Sequence, residues 1–205
     1  MRIMSVAVMA AMVGTNAWAG SIPAVKRQVT VCMSGSGNVA LENRAKVVAS
    51  GILAGGGVKI AWHGPSNCPR EGILITLSNE TPVGLHPGAL AYAQPYDGTH
   101  VVVFYDRVKN QPGLLPLEKG TLVASLLGHV VVHEVTHILQ GVVRHSESGV
   151  MKQQWTGVDY AEMSGKPLQF TNEDVVLIHL GLKAREARLG AGAMKPANVP
   201  LAAGQ

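Results

Sequence analysis

The chain has 205 residues, a length that suits one domain with a real hydrophobic core. Charged residues make up 15% and the hydrophobic class 47%, which excludes a disordered composition. The formal charge of +4 comes with no block of Lys and Arg and no basic residues interleaved with aromatics, so nothing points to a nucleic-acid partner.

Residues 1–19 read as a signal peptide. Arg2 gives a positive start, 3–13 form an apolar stretch too short to span a bilayer, and Ala17-Trp18-Ala19 offers a small-x-small cleavage pattern before Gly20. The mature chain is expected to be secreted or periplasmic. No other segment reads as a transmembrane helix, so no membrane association is expected after cleavage. Export makes Cys32 and Cys68, the only cysteines, a pair expected to form a structural disulfide. Closing that loop is worth roughly 3–4 kcal/mol in the chain-entropy picture.

Residues 20–189 read as a single domain. The run 28–33 alternates and is rich in β-formers, so a strand is expected there. Ser34 to Gly37 reads as a turn. Apolar residues at helical spacing over 38–53 predict a helix stopped by Gly55-Gly56-Gly57. Strands follow at 58–62 and 72–77, with a two-proline loop holding Cys68 between them. Two more are expected at 88–93 and 101–105, joined by a turn around Pro95 to Gly98, and then a loop over 109–116. The strongest helix runs from a Thr121 cap to Gln140 and is apolar on nearly every side, which marks it as buried against a sheet. Gly141 ends it. A last amphipathic helix is expected over 171–189 with Thr171 as its cap, and 190–205 read as a flexible tail. The order of elements gives an α+β fold with a mixed twisted sheet packed by helices.

The buried helix carries His133-Glu134-Val135-Thr136-His137. Residues four apart lie on one helical face, so both imidazoles can reach one zinc at about 2.0–2.1 Å. Glu134 then projects toward the open side of the metal, where it can act as general base on a water. The competing reading is two core histidines with no metal. A catalytic zinc site needs a third protein ligand. His145 is the first choice, because Gly141 breaks the helix and lets the chain turn back. Asp159 and Glu162 stand as alternatives. His129, one turn before His133, reads as a supporting or core histidine. His63, His86, His100 and His179 are scattered and have no assigned role.

The segment His145-Ser146-Glu147-Ser148-Gly149-Val150-Met151 resembles that of matrixin-type metzincins, in which the third zinc histidine is followed by Ser and then by the Met-turn. The metzincin pattern is HExxHxxGxxH followed by a methionine beneath the metal. The resemblance implies zinc ligands His133, His137 and His145, general base Glu134 and Met-turn residue Met151. It also fits the strand-helix-strand run upstream. The glycine falls one residue late, at Gly141, and His145 comes two residues late, so Gln140 and Val143 stand where the pattern has Gly and His. Asp159 faintly resembles the downstream aspartate of aspzincins, and Glu162 would suit a gluzincin-like scheme. Tyr160 reads as an oxyanion donor or a packing residue, and Trp155 as the cap of an apolar cluster. The implied activity is a zinc metallopeptidase, an endopeptidase acting on peptide or protein substrates laid beside an edge strand within 89–105. The alternative is an exported zinc-binding or protein-binding module that keeps the site without turnover.

Overall fold

The computed structural model describes residues 27–86, 88–93, 99–111 and 119–193. The expected leader, the turn around 95–98 and residues 194–205 of the tail lie outside them. Five strands form one sheet in the order β2-β1-β3-β5-β4: β1 (Arg27–Ser34), β2 (Val58–His63), β3 (Ile73–Ser78), β4 (Ala91–Ala93) and β5 (His100–Phe104). Strands β2, β1, β3 and β5 are parallel, while β4 runs antiparallel to β5 and forms an edge. The mixed sheet expected from the order of elements is therefore present.

Parallel strands need crossover connections, and one of them here is a helix. Helix α1 (Val39–Gly55) connects β1 to β2, with Asn38 accepting from the Leu41 N–H as its cap at 3.1 Å. Helix α3 (Lys119–Gln140) is the core helix, starting two residues before the expected Thr121 cap. Its residues from Leu122 to Gln140 are all buried, and the glycine at 128 serves the helix packing. A Cβ there would come 2.8 Å from Val48 Cβ and 2.9 Å from the Ala45 carbonyl, so α1 and α3 can lie this close only over a glycine. Gly120–Gln140 also has the length and hydropathy of a membrane span, against the expectation that no segment beyond the leader does. It is buried throughout by the rest of the fold, which is how a core helix satisfies so apolar a surface.

There are three further differences from the sequence reading. The expected strand over 88–93 is paired only at Ala91–Ala93, and the other strand ends at Phe104, after which Tyr105–Lys109 forms a short helix, α2, in the segment expected to be extended and then looped. Gly157–Gly165, for which the sequence reading placed no helix, is helix α4, started by Asp159 reaching back to the Thr156 N–H at 2.6 Å. The last helix, α5 (Asn172–Ala193), continues past Leu189 into the expected tail.

Cys32, fully buried on β1, and Cys68 form the expected disulfide, with their Cα atoms 5.7 Å apart. It ties the centre of the sheet to the β2–β3 connection.

Candidate metal centre

Helix α3 brings His133 and His137 together, with 3.1 Å between their Nε2 atoms. Gly141 then ends the helix at φ 70°, its N–H donating to the His137 carbonyl at 2.9 Å. The chain turns back and delivers His145, whose ring centroid lies 5.2 Å from that of His133 and 5.0 Å from that of His137. Their ligand atoms all lie within 4.8 Å of one another, so His133, His137 and His145 form a group able to hold one metal ion. Asp159 and Glu162 do not join this group among the described residues. Asp159 is occupied by Thr156 and by the Lys152 ammonium at 2.7 Å, and Glu162 is exposed on α4.

The main chain fixes the first two rings. His133 Nδ1 donates to the Val150 carbonyl at 2.9 Å, and His137 Nδ1 to the Val142 carbonyl at 3.3 Å. A carbonyl can only accept, so both protons sit on Nδ1 and both Nε2 lone pairs are free. Two such lone pairs facing each other at 3.1 Å repel unless a cation lies between them. A tetrahedral zinc with nitrogen ligands at 2.0–2.1 Å would set them about 3.3 Å apart. The donor set therefore fits zinc in number, chemistry and spacing.

The linker to His145, two residues longer than the metzincin pattern, is used in the structure, since Val142 holds His137. Beyond His145 the chain makes a tight turn. Ser146 N–H donates to the Met151 carbonyl at 2.8 Å, and Val150 N–H donates to the Gln169 carbonyl at 3.0 Å. Gly149 sits at φ 76°, and a Cβ on it would meet the Gln169 oxygen at 2.2 Å, so no other residue fits there. Met151 is wholly buried in the core, one residue after the carbonyl that orients His133.

His129 does not join the cluster. Its Nδ1 donates to the Ser125 carbonyl at 2.8 Å and its Nε2 accepts from the Leu168 N–H at 3.0 Å, which makes it a fully satisfied core histidine. His100 pairs with Thr76, and His86 caps its own loop at Gly88. Neither these two nor His63 and His179 approach the metal group.

A cavity of about 350 Å³ opens beside the three histidines. It is lined by Ala91 and Ala93 of the edge strand, by Val130 and Glu134 of α3, and by Lys152, Trp155 and Tyr160. Trp155 packs against the apolar core and stands edge-on to His133 and His129 at 5.6 and 6.3 Å. Tyr160 is half-buried in the same cavity, and burial together with the Asp159 charge raises its hydroxyl pKa. Burial raises the Glu134 carboxyl to about 8. Burial and the neighbouring His137 lower His133 to about 3, and burial and His145 lower His137 to about 4. Imidazoles that stay neutral in this way are ready to ligate.

These shifts set the acid sensitivity of the metal-free protein. Burial lowers His129 and His145 as well, so four imidazoles titrate in the folded chain below the ordinary value of 6.5. Between those values the unfolded chain binds more protons, so the histidine contribution is complete above about pH 6.5 and is lost as pH falls below it. Glu134 acts in the opposite sense: its contribution is complete below its ordinary 4.5 and is lost as pH rises toward 8. Four groups outweigh one. The urea midpoint of chelator-treated protein should therefore drop between pH 7 and pH 5, and a rise over that interval would contradict the assignment.

The sequence reading missed the carbonyls of Val142 and Val150, which no side-chain pattern encodes. It also missed Asp174. That residue was legible in the Thr171-x-x-Asp174 spacing of a capping box, where Asp174 Oδ2 accepts from the Thr171 N–H at 3.0 Å.

No protein-family model matches the chain, and no curated protein does. Among solved structures it is similar to an archaemetzincin from Methanopyrus kandleri, at 19% identity and a TM-score of 0.47, covering 79% of this chain and 98% of that one. It is also similar to an archaemetzincin from Archaeoglobus fulgidus complexed with malonate, at 12% identity and a TM-score of 0.47, covering 73% of this chain and 99% of that one.

Proposed function

We propose that the protein is an exported zinc-dependent peptidase whose metal is held by His133, His137 and His145. The convergence of three neutral imidazoles beside a buried carboxylate, in a cleft walled by an edge strand, carries this reading. A bound zinc supplies Lewis acidity, which acidifies water and polarises a scissile carbonyl. Glu134 takes the proton of the attacking water and returns it to the departing amine. The peptide lies extended along the edge of β4 that is unpaired among the described residues, held by main-chain hydrogen bonds, and an internal stretch of an unfolded protein suits such a groove. The buried disulfide is in keeping with an oxidising compartment, and the leader read over 1–19 with export.

The test combines elemental analysis of the purified protein with cleavage of an unfolded protein substrate. The expected result is one zinc per chain and cleavage that stops on chelation and returns with added zinc. One zinc per chain with no cleavage of any substrate would overturn the peptidase reading in favour of a binding module. Absence of zinc would overturn both.

A further inference from the structure

We propose that Asp174, in the first turn of α5, is the positioning residue for the third histidine. The inference rests on the metal reading of the cluster. His133 and His137 each have a carbonyl that fixes their ring, whereas no hydrogen bond orients the His145 ring among the described residues. Its placement comes from the two residues flanking it. Arg144 Nη1 donates to Asp174 Oδ1 at 3.2 Å, and the Ser146 hydroxyl donates to the same oxygen at 2.6 Å. Arg144 Nη1 also reaches the Ser146 hydroxyl at 3.2 Å, which closes the triangle beneath His145.

The carboxylate is itself held firmly. Its other oxygen accepts from the Thr171 N–H at 3.0 Å and the Thr171 hydroxyl at 2.7 Å. The Asp174 carbonyl accepts from Gln140 Nε2, at the end of the helix that carries the other two histidines, at 3.4 Å. The side chain is completely buried. Burial alone would raise its pKa, but hydrogen bonds from Ser146 and Thr171 and the Arg144 charge hold it below the usual carboxylate range. A buried carboxylate so fully satisfied is rigid, and a rigid anchor on both neighbours of a loop histidine limits where its imidazole can go. Arg144 pairs with Glu173 as well, which keeps its guanidinium over the loop.

The experiment measures Co²⁺ binding to the metal-free full chain by its visible absorption and by competition with a chromophoric chelator, with no substrate present. The variants are Asp174→Ala, Asp174→Asn and Ser146→Ala, beside His145→Ala. Loss of a group that supports a ligand costs about 10–100-fold in metal affinity. The expected result is a loss of that size in Asp174→Ala and Ser146→Ala, with a spectrum moving toward that of His145→Ala, and a smaller loss in Asp174→Asn. Asn38→Ala removes the cap of α1 and should lower the melting temperature without changing affinity or spectrum, which separates positioning from stability. Ser146→Ala leaves Asp174 and its helix cap in place, so it reports even if Asp174→Ala does not fold. Wild-type affinity and spectrum in Ser146→Ala would overturn the proposal while the metal reading stood. Failure of the wild-type chain to bind Co²⁺ would overturn both.

Discussion

Glu134→Gln is expected to lower peptide cleavage by about 10²–10⁴-fold while zinc remains at one per chain. The side chain lines the cavity beside the three histidines, so it can reach a water there without ligating the metal. Glutamine keeps its size and cannot take a proton. The same substitution should leave the metal-free protein as stable as before at pH 7, or more so. Burial has pushed the Glu134 carboxyl to about 8, which means that ionising it inside the fold is unfavourable. A neutral amide removes that penalty. The measurements are kcat/KM on an unfolded substrate, zinc content, and urea unfolding of the chelated protein. Full activity in the variant would remove Glu134 from the mechanism, and a large loss of zinc would recast it as a ligand.

Gly181→Ala is expected to destabilise the protein by about 3 kcal/mol or more. A Cβ at Gly181 would stand 2.0 Å from the Leu139 carbonyl and 2.8 Å from Gln140 backbone atoms, so α5 must move off α3 to admit it. Ile178 and Leu182, buried on the same face, would lose contact with the core as it moved. Asp174 lies two turns earlier on that face, so the strain would extend to the carboxylate beneath His145. Gly51→Ala is the internal control. It lies on the exposed side of α1 with nothing within 4 Å of its would-be Cβ, and it should gain up to about 1 kcal/mol. Equal urea midpoints for Gly181→Ala and the wild type would show that the helices can separate at little cost.

The features legible in the sequence were those with a short-range signature. Alternation gave β1, the apolar girth of α3 marked it as buried, and the four-residue interval between His133 and His137 gave the metal pair. Helix α4 escaped because its starting signal, Thr156 followed three residues later by Asp159, was read as ligand chemistry and not as a cap. The two-residue shift of His145 set the chain apart from the metzincin pattern, yet the structure returns that residue to the cluster. What decides its place is tertiary: a turn hung on the Gln169 carbonyl and a carboxylate 29 residues downstream of His145, neither of which leaves a local periodicity.

The two carbonyls that orient His133 and His137 have a consequence for how far such a chain can drift. An orienting aspartate or glutamate would pin the residue type at its own position. The oxygens of Val142 and Val150 belong to the backbone, so any side chain that preserves the path of the loop supplies the same acceptor. At these two positions the information that sets the imidazole tautomers is written in chain geometry and not in residue identity. Substitutions at exposed Val142 can accumulate without altering the ligands, and apolar exchanges can do so at buried Val150, leaving few letters in common between two chains that build the same centre.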